Sequence, residues 1–287
     1  MKKIISLVLL ACCIVSVLAG CTSSPSGKSP TGASTGSTVK NVTVEEQVLL
    51  EKDGVKITLK SIEFGGLFGP ELKVLIENDS ANNITVQTRD SVVNGFMVDF
   101  ILDEEVEIGK KSNTAITIFD NKLKAADITL IKDIEFKFHV SEAKSYDKIF
   151  DSDTIKITTS ADPAYVQPVN TDGTVAYDEG GIKVTVKKLV TKDSFWGAEV
   201  YVLIENNTED DVTVQVRNVS IDGFMVNPAF SSDVLKGKKS LDTITFMEKE
   251  LTDNGIKDIK SIELSFHIYQ SSGKDTIKDT DKITITF

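Results

Sequence analysis

The residues best suited to chemistry in this chain come in pairs with a constant spacing. The only two arginines are Arg89 and Arg217, the only two histidines are His139 and His267, and both pairs have the same separation in sequence. A guanidinium group binds carboxylate or sulfate through a planar fork of donors, and an imidazole can ligate a metal. The pairs indicate either a binding face used once in each half of the chain, or solvent-facing strand residues that were copied by duplication.

The number and spacing of candidate ligands argue against an enzyme and against a resident metal. A zinc site needs several converging His or Cys ligands, whereas each half of the chain offers one His. The acidic runs 103–105, 151–153 and 209–211 lack the spacing of known calcium loops. The G-x-S-x-G pattern of a nucleophile elbow does not occur. We therefore predict a non-catalytic protein with no metal and no cofactor.

One connection is unusually apolar in both halves of the chain. It holds Phe64, Leu67 and Phe68 in the first half and Phe195 and Trp196 in the second. Exposed aromatic side chains in such a loop would suit contact with carbohydrate or protein. The alternative is that they pack over the end of the fold. We take Phe68 and Trp196, together with the two arginines, as the candidate binding residues.

The constant spacing reflects an internal duplication. The stretch V-L-I-E-N at 74–78 is followed by N-G-F-M-V at 94–98, and the pair returns as V-L-I-E-N at 202–206 and D-G-F-M-V at 222–226. Between 74 and 98, 13 of 25 positions are identical to their partners in the second copy. The chain therefore contains two versions of one domain, which we call repeat one (residues 42–160) and repeat two (residues 175–287).

Each repeat has the sequence pattern of a small all-β domain. Short runs rich in Val, Ile and Thr alternate with polar residues and are separated by turns about every ten residues, as in antiparallel sandwiches. Asn94-Gly95 is a strong hairpin signal between two apolar runs. Asn121 to Asp127 reads as one or two helical turns. We expect two tandem immunoglobulin-like antiparallel β-sandwich domains, joined by a proline-containing linker at 161–174.

The N-terminal region predicts export and lipidation. Residues 1–20 have a charged start, an apolar run and small residues, as in a signal peptide too short to span a membrane. The sequence L-A-G-C at 18–21 resembles the bacterial lipobox, which implies diacylation of Cys21 and cleavage just before it. The rest of segment 21–41 is Ser, Gly, Thr and Pro with few apolar residues, which predicts a flexible, disordered tether.

Charge narrows the range of partners. The formal charge of −11 becomes about −13 once Lys2 and Lys3 leave with the signal peptide. Nucleic acid is not expected as a partner, because affinity for it comes from neutralising phosphates. Attachment to the membrane is therefore assigned to acyl chains on Cys21, since two or more chains make a stable anchor.

The V-L-I-E-N strand, the N-G-F-M-V hairpin and a G-K-K-S turn at 109–112 and 237–240 resemble a group of uncharacterised immunoglobulin-like lipoproteins of Gram-positive bacteria. The resemblance implies the fold and a location on the extracellular face of the cell membrane, and it implies no activity. We expect a membrane-anchored module that binds an extracellular protein or a cell-wall glycan. The alternative is a structural spacer or accessory subunit of a cell-envelope complex.

Overall fold

A computed structural model of the chain describes residues 39–191, 196–273 and 275–287. The predicted signal peptide, Cys21, most of the predicted tether and Phe195 lie outside the described residues. Strands make up 57% of the structure and helices 5%, which confirms the all-β sandwich class predicted from the sequence. In the described ranges no helix is long and apolar enough to span a membrane.

The secondary-structure elements of the two repeats follow the same order, except that the second short strand after the hairpin in repeat one is represented in repeat two only by an isolated bridge between Ala229 and Thr245. Those of repeat one are β1 (Gln47–Lys52), β2 (Val55–Glu63), β3 (Glu71–Asn78), β4 (Ile84–Val93), β5 (Phe96–Met97), β6 (Phe100–Ile101), β7 (Asp103–Val106), β8 (Lys110–Ile118), α1 (Asp120–Ala125), β9 (Asp133–Glu142), β10 (Lys148–Asp151) and β11 (Ile155–Thr158). Those of repeat two are β12 (Thr174–Glu179), β13 (Ile182–Val190), β14 (Gly197–Asn206), β15 (Val212–Ile221), β16 (Phe224–Met225), β17 (Ser231–Val234), β18 (Lys239–Met247), α2 (Glu248–Asp253), β19 (Ser261–Gln270), β20 (Thr276–Asp279) and β21 (Ile283–Thr286).

These strands form three sheets. The first has the order β1-β2-β3-β8-β6, and the third has the order β16-β15-β19-β20, with β17 on β15 and β21 on β19. The middle sheet runs β10-β9-β4-β5-β18-β14-β13-β12, with β11 on β9 and β7 on β4. Repeat one therefore contributes six strands to the middle sheet and repeat two contributes four, and the strands of each repeat face one of the outer sheets to enclose a core.

The cores are built by strict alternation. In β3 the side chains of Leu72, Val74 and Ile76 are buried while the intervening residues are half-buried. The core of repeat one also holds Phe136 and Phe138, whose rings meet edge to face with centroids 5.1 Å apart. Repeat two has its own cluster of buried residues. Apolar burial is the main stabilising term in folding. Each sandwich is therefore stabilised by a core of its own.

The last residue of the V-L-I-E-N motif is the centre of a buried hydrogen-bond network. Asn78 is fully buried, and its Nδ2 donates to the carbonyls of Asn82 and Val106 at 2.8 Å each, while its Oδ1 accepts from the backbone and hydroxyl of Ser80. Asn206 makes the same four contacts in repeat two. A buried amide with all its groups paired fixes the chain around it. The motif is thus structural.

The Asn94-Gly95 hairpin adopts the turn that its sequence predicts. Asn94 and Gly95 have φ values of 50° and 85°, and Asp222 and Gly223 have 48° and 89°. Two consecutive positive φ values are the mark of a type I′ turn, which suits Asn-Gly and Asp-Gly. In repeat two the hairpin strand β16 lies at the edge of its sheet, whereas β5 of repeat one lies within the middle sheet, between β4 and β18.

The two repeats are joined at this hairpin. Strand β5 pairs in parallel with β18 through Phe96 and Lys239, and the Lys239 N–H donates to the Gly95 carbonyl at 3.0 Å. Leu203 of repeat two is 2% exposed and belongs to the core cluster of repeat one. A sheet that passes from one domain into the next was not expected from the sequence, which indicated two sandwiches connected only by a linker.

The segments on either side of repeat one are also attached. Within 161–174, Gln167 is buried; its Oε1 accepts from Asn94 Nδ2 at 3.2 Å and from the Tyr165 hydroxyl at 2.9 Å. Lys40, which the sequence assigns to the tether, donates its N–H to the Thr129 carbonyl at 2.8 Å. The described end of the predicted tether therefore lies against repeat one.

Candidate functional site

The apolar loop of repeat one connects β2 to β3 and presents its hydrophobic side chains to solvent. Leu67 is 89% exposed and Phe68 is 61% exposed. The Phe68 ring packs against Phe119 in an edge-to-face arrangement, with the centroids 6.3 Å apart and the planes inclined by 63°. Phe68 is therefore held from one side while most of its surface is open.

A glycine fixes the position of this aromatic residue. Gly69 has φ 139°, and a Cβ there would lie 2.1 Å from the Ile118 carbonyl oxygen, so only glycine allows the loop to approach β8 this closely. The close approach lets the N–H of Asp120, the first residue of α1, donate to the Phe68 carbonyl at 2.9 Å.

Repeat two builds the same arrangement around a larger ring. Trp196 is 58% exposed, and Gly197 has φ 134° with a virtual Cβ 2.2 Å from the Phe246 carbonyl oxygen. The N–H of Glu248, the first residue of α2, donates to the Trp196 carbonyl at 2.9 Å. Each repeat therefore presents one large aromatic side chain from a backbone position that is fixed by glycine and by a hydrogen bond.

The two arginines, although equivalent in sequence, lie in different surroundings. Arg217 is exposed, and its Nη1 lies 3.7 Å from Asp279 Oδ1. Arg89 is also exposed but lines a polar cleft of about 500 Å³ between the repeats. The structure does not bring either arginine together with the aromatic loops into one described contact, so they are separate candidates.

Each histidine is paired with an aspartate that the sequence analysis did not connect to it. His139 Nδ1 lies 2.6 Å from Asp151 Oδ1, and His267 Nδ1 lies 2.7 Å from Asp279 Oδ1. The hydrogen bond from His139 is the main reason why the pKa of Asp151 is lowered, and Lys148 adds to the effect. The two aspartates have the same separation in sequence as the two histidines, which is the signal that would have marked them.

A His–Asp pair orients an imidazole, and the ring nitrogen Nε2 then remains for another partner. Both pairs lie on the outer faces of strands, where the side chain of His139 is 13% exposed and that of His267 is 11% exposed. His267 also stacks against Tyr269, with ring centroids 5.1 Å apart. Over the described ranges, no group of three His, Cys, Asp or Glu side chains is arranged to hold a metal ion.

The cleft between the repeats contains a half-buried ion pair. Lys122 Nζ contacts Asp242 Oδ1, and Asp242 Oδ2 accepts from the hydroxyls of Ser232 and Ser240 at 2.5 and 2.6 Å. Burial raises the pKa of Asp242, but the Lys122 ammonium and the two hydroxyls outweigh burial and hold this pKa below its ordinary value. The pair connects α1 of repeat one to β18 of repeat two.

Of the two G-K-K-S turns, the one at 237–240 contributes to the contact between the repeats and, within the described residues, the one at 109–112 does not. Lys238 Nζ lies 2.6 Å from Glu135 Oε1 of repeat one, and both side chains are 22% exposed. The equivalent Lys110 is exposed, and its neighbour Lys111 pairs with Glu77 inside repeat one.

Comparison with protein-family models and with curated proteins finds no match. Among solved structures, the chain is similar to a protein of unknown function from Porphyromonas gingivalis W83, at 11% sequence identity and a TM-score of 0.22. The similarity covers 82% of this chain and 100% of that one.

Proposed function

We propose that the protein is a lipid-anchored module on the extracellular face of the cell membrane that binds a protein or a cell-wall glycan without catalysis. The observation that carries the proposal is the pair of exposed aromatic side chains, Phe68 and Trp196, each fixed by its own glycine. Large rigid rings that are ordered before binding contribute contact area at little entropic cost.

Two aromatic sites in one chain also favour binding to a repeated or extended ligand. Because both loops belong to one chain, engagement of one raises the effective concentration of the other where the geometry allows. A glycan polymer or a repetitive surface protein provides such paired sites. The sequence resemblance to lipoproteins of Gram-positive bacteria adds the location to this proposal.

The anchoring part of the proposal rests on Cys21. Acylation of this residue, followed by residues 22–38 as a tether, would place the folded repeats close to the outer membrane surface. Mass spectrometry of the membrane-extracted protein should show a diacylated N-terminal Cys21, and an unmodified or absent Cys21 would refute the anchoring.

The binding part is tested by capture. The full-length protein is incubated with isolated wall glycans and with extracellular proteins, alongside the variant Phe68→Ala/Trp196→Ala. A matched control is Phe287→Ala, which removes another exposed aromatic side chain at 48% exposure. We expect specific capture by the wild type and the control and not by the double variant. Equal capture by the wild type, the control and the double variant would contradict the proposal. So would a folded wild type that captures none of the wall glycans or extracellular proteins.

A second candidate function is a rigid spacer or accessory subunit of an envelope complex. It is favoured by the sheet that runs through both repeats and by the contacts of Lys122 and Lys238 across the joint. Gentle solubilisation of membranes and purification of the protein discriminates between the two. A stable partner in fixed stoichiometry that survives loss of both loop aromatics supports the accessory role.

A further inference from the structure

The joint between the repeats has two halves. One half is the hairpin tip, where Phe96 is 4% exposed and the Gly95 carbonyl accepts from Lys239. The other half is the start of β18 with the outer face of β14, where Leu203 is 2% exposed. The hairpin thus adds to a sheet edge while an apolar side chain from each half is buried.

Each repeat has both a hairpin tip and a sheet edge of this kind. Within the described part of the chain, one tip and one edge form the joint, and the other tip and the other edge remain unused. The unused hairpin tip is that of repeat two, where Phe224 is 49% exposed and Met225 is 67% exposed. These residues are identical to Phe96 and Met97, and the turn before them has the same backbone conformation. The exposed tip is therefore a copy of a surface that is buried elsewhere in the same molecule.

The unused sheet edge is that of repeat one. Lys111 pairs with Glu77 of β3 in the same register that Lys239 has with Glu205 of β14, so the Lys111 N–H points away from β3 as the Lys239 N–H points away from β14. Leu75, the equivalent of Leu203, is only half-buried. In the first sheet β6 pairs with β8 only at its far end, so among the described strands none pairs with β8 at Lys111 on this edge.

We propose that the free hairpin tip of one copy docks on the open β8 edge of a second copy and reproduces the joint between the repeats. The Lys111 N–H of the second copy donates to the Gly223 carbonyl, and Phe224 covers Leu75. Exposed strand edges are natural sites for such addition of a strand. The contact joins unlike surfaces, so it does not close on itself and yields chains of copies arranged head to tail.

Charge supports this pairing. Glu263 is equivalent to Glu135, and Lys110 is equivalent to Lys238, so the 2.6 Å contact of the joint can form again between copies. In the free repeat Glu263 is held by Lys282 at 2.9 Å, on a partly exposed surface from which it can exchange partners.

At a second place the contact between copies brings opposite charges together, where the joint has a neutral phenol beside an ammonium. Burial raises the pKa of Tyr201, and the nearby Lys122 ammonium opposes that rise across the joint. The equivalent positions are Lys73 on the open edge, which pairs with Glu71 within repeat one, and Glu250 beside the free tip, so an ammonium meets a carboxylate there. Asn113 replaces Leu241 at the edge, so the contact between copies is less apolar than the joint and is reversible.

Photo-crosslinking of the full chain tests the proposal. Phe224 is replaced by p-benzoylphenylalanine, ¹⁵N-labelled and unlabelled copies are mixed, and crosslinked peptides are identified by mass spectrometry. We expect mixed-isotope crosslinks from residue 224 to peptides that contain 73–77 or 110–114. The positive control carries the same probe at Phe96 and should crosslink to repeat two within a single copy.

A charge exchange makes the test specific. Lys110→Glu alone should lower the yield of the mixed-isotope crosslink about five- to tenfold, and Lys110→Glu/Glu263→Lys should restore it. Unchanged circular dichroism shows that each variant is folded. Crosslinks to another region of the second copy, crosslinks only to a different protein, or no crosslink between copies while the Phe96 control reacts would each overturn the proposal.

Discussion

Replacing Lys122 by Met tests the ion pair that crosses the joint between the repeats. Methionine keeps most of the side-chain length and removes the charge. The side chains of Lys122 and Asp242 are 25% and 20% exposed. Removing one partner of a fully buried pair costs about 3–5 kcal/mol, whereas exposed pairs contribute about 0–1 kcal/mol. Since the two serine hydroxyls still bind Asp242, we expect a loss of about 2 kcal/mol of unfolding free energy at pH 7.

The pH dependence of this loss separates charge from packing. The folded pKa of Asp242 lies below its ordinary value, so the ionised carboxylate contributes stability above its unfolded pKa of about 3.9. That contribution is lost as the pH falls through the folded pKa. In the variant the carboxylate has lost its cation, and its ionised form is disfavoured. The difference between wild type and variant should therefore narrow as the pH falls from 7 towards 4.

The assay is urea unfolding at both pH values, followed by circular dichroism and by the fluorescence of Trp196, the only tryptophan. The control is Lys249→Met, which removes a pair with Asp253 on the exposed face of α2 and should leave the unfolding curve unchanged. An equal loss at pH 7 and pH 4 would show that packing rather than charge is responsible. No loss at pH 7 would refute the assignment of this pair to the joint.

Three further predictions follow from other parts of the fold. Asn206→Ala leaves the carbonyls of a buried turn unpaired and should lower the unfolding free energy by about 2–4 kcal/mol, whereas the exposed neighbour Asn207→Ala should have little effect in the same urea titration. Gly197→Ala forces the loop away from β18, so it should lower the unfolding free energy by about 2 kcal/mol and shift the fluorescence emission of Trp196. The control is Gly255→Ala, where a Cβ meets no atom within 4 Å. This control should cost about half as much unfolding free energy. Cys21→Ser should move the protein from the membrane fraction to the soluble fraction on immunoblots; a variant that stays in the membrane fraction would refute the lipid anchor.

Local patterns predicted the repeated elements well. Alternation indicated the strands, Asn94-Gly95 indicated a hairpin, and Asn121 to Asp127 indicated one or two helical turns, where the structure has α1. These features depend on residues close in sequence, whose backbone preferences and burial are decided locally. The exposed loop positions of Phe68 and Trp196 could also be suggested, because a long apolar connection stands out between polar turns.

Contacts between distant segments could not be predicted in this way. Phe96 and Phe224 have nearly identical neighbours in sequence, yet one is buried and the other is half exposed. The difference comes from the pairing of β5 with β18, which lies in the other repeat and far along the chain, and no local signal records it. The partner of His139 was missed for a related reason: a register shift between Lys148 and Phe150 decides which residue of β10 faces it.

The proposed function depends most directly on the two loop aromatics. The decisive measurement is the equilibrium dissociation constant of the captured ligand for the wild-type chain and for Phe68→Ala/Trp196→Ala. Because buried aromatic anchors dominate the energetics of interfaces, we predict affinity at least about tenfold weaker for the double variant, with an unchanged melting temperature. Equal affinities for the two proteins would contradict the assignment of binding to these loops.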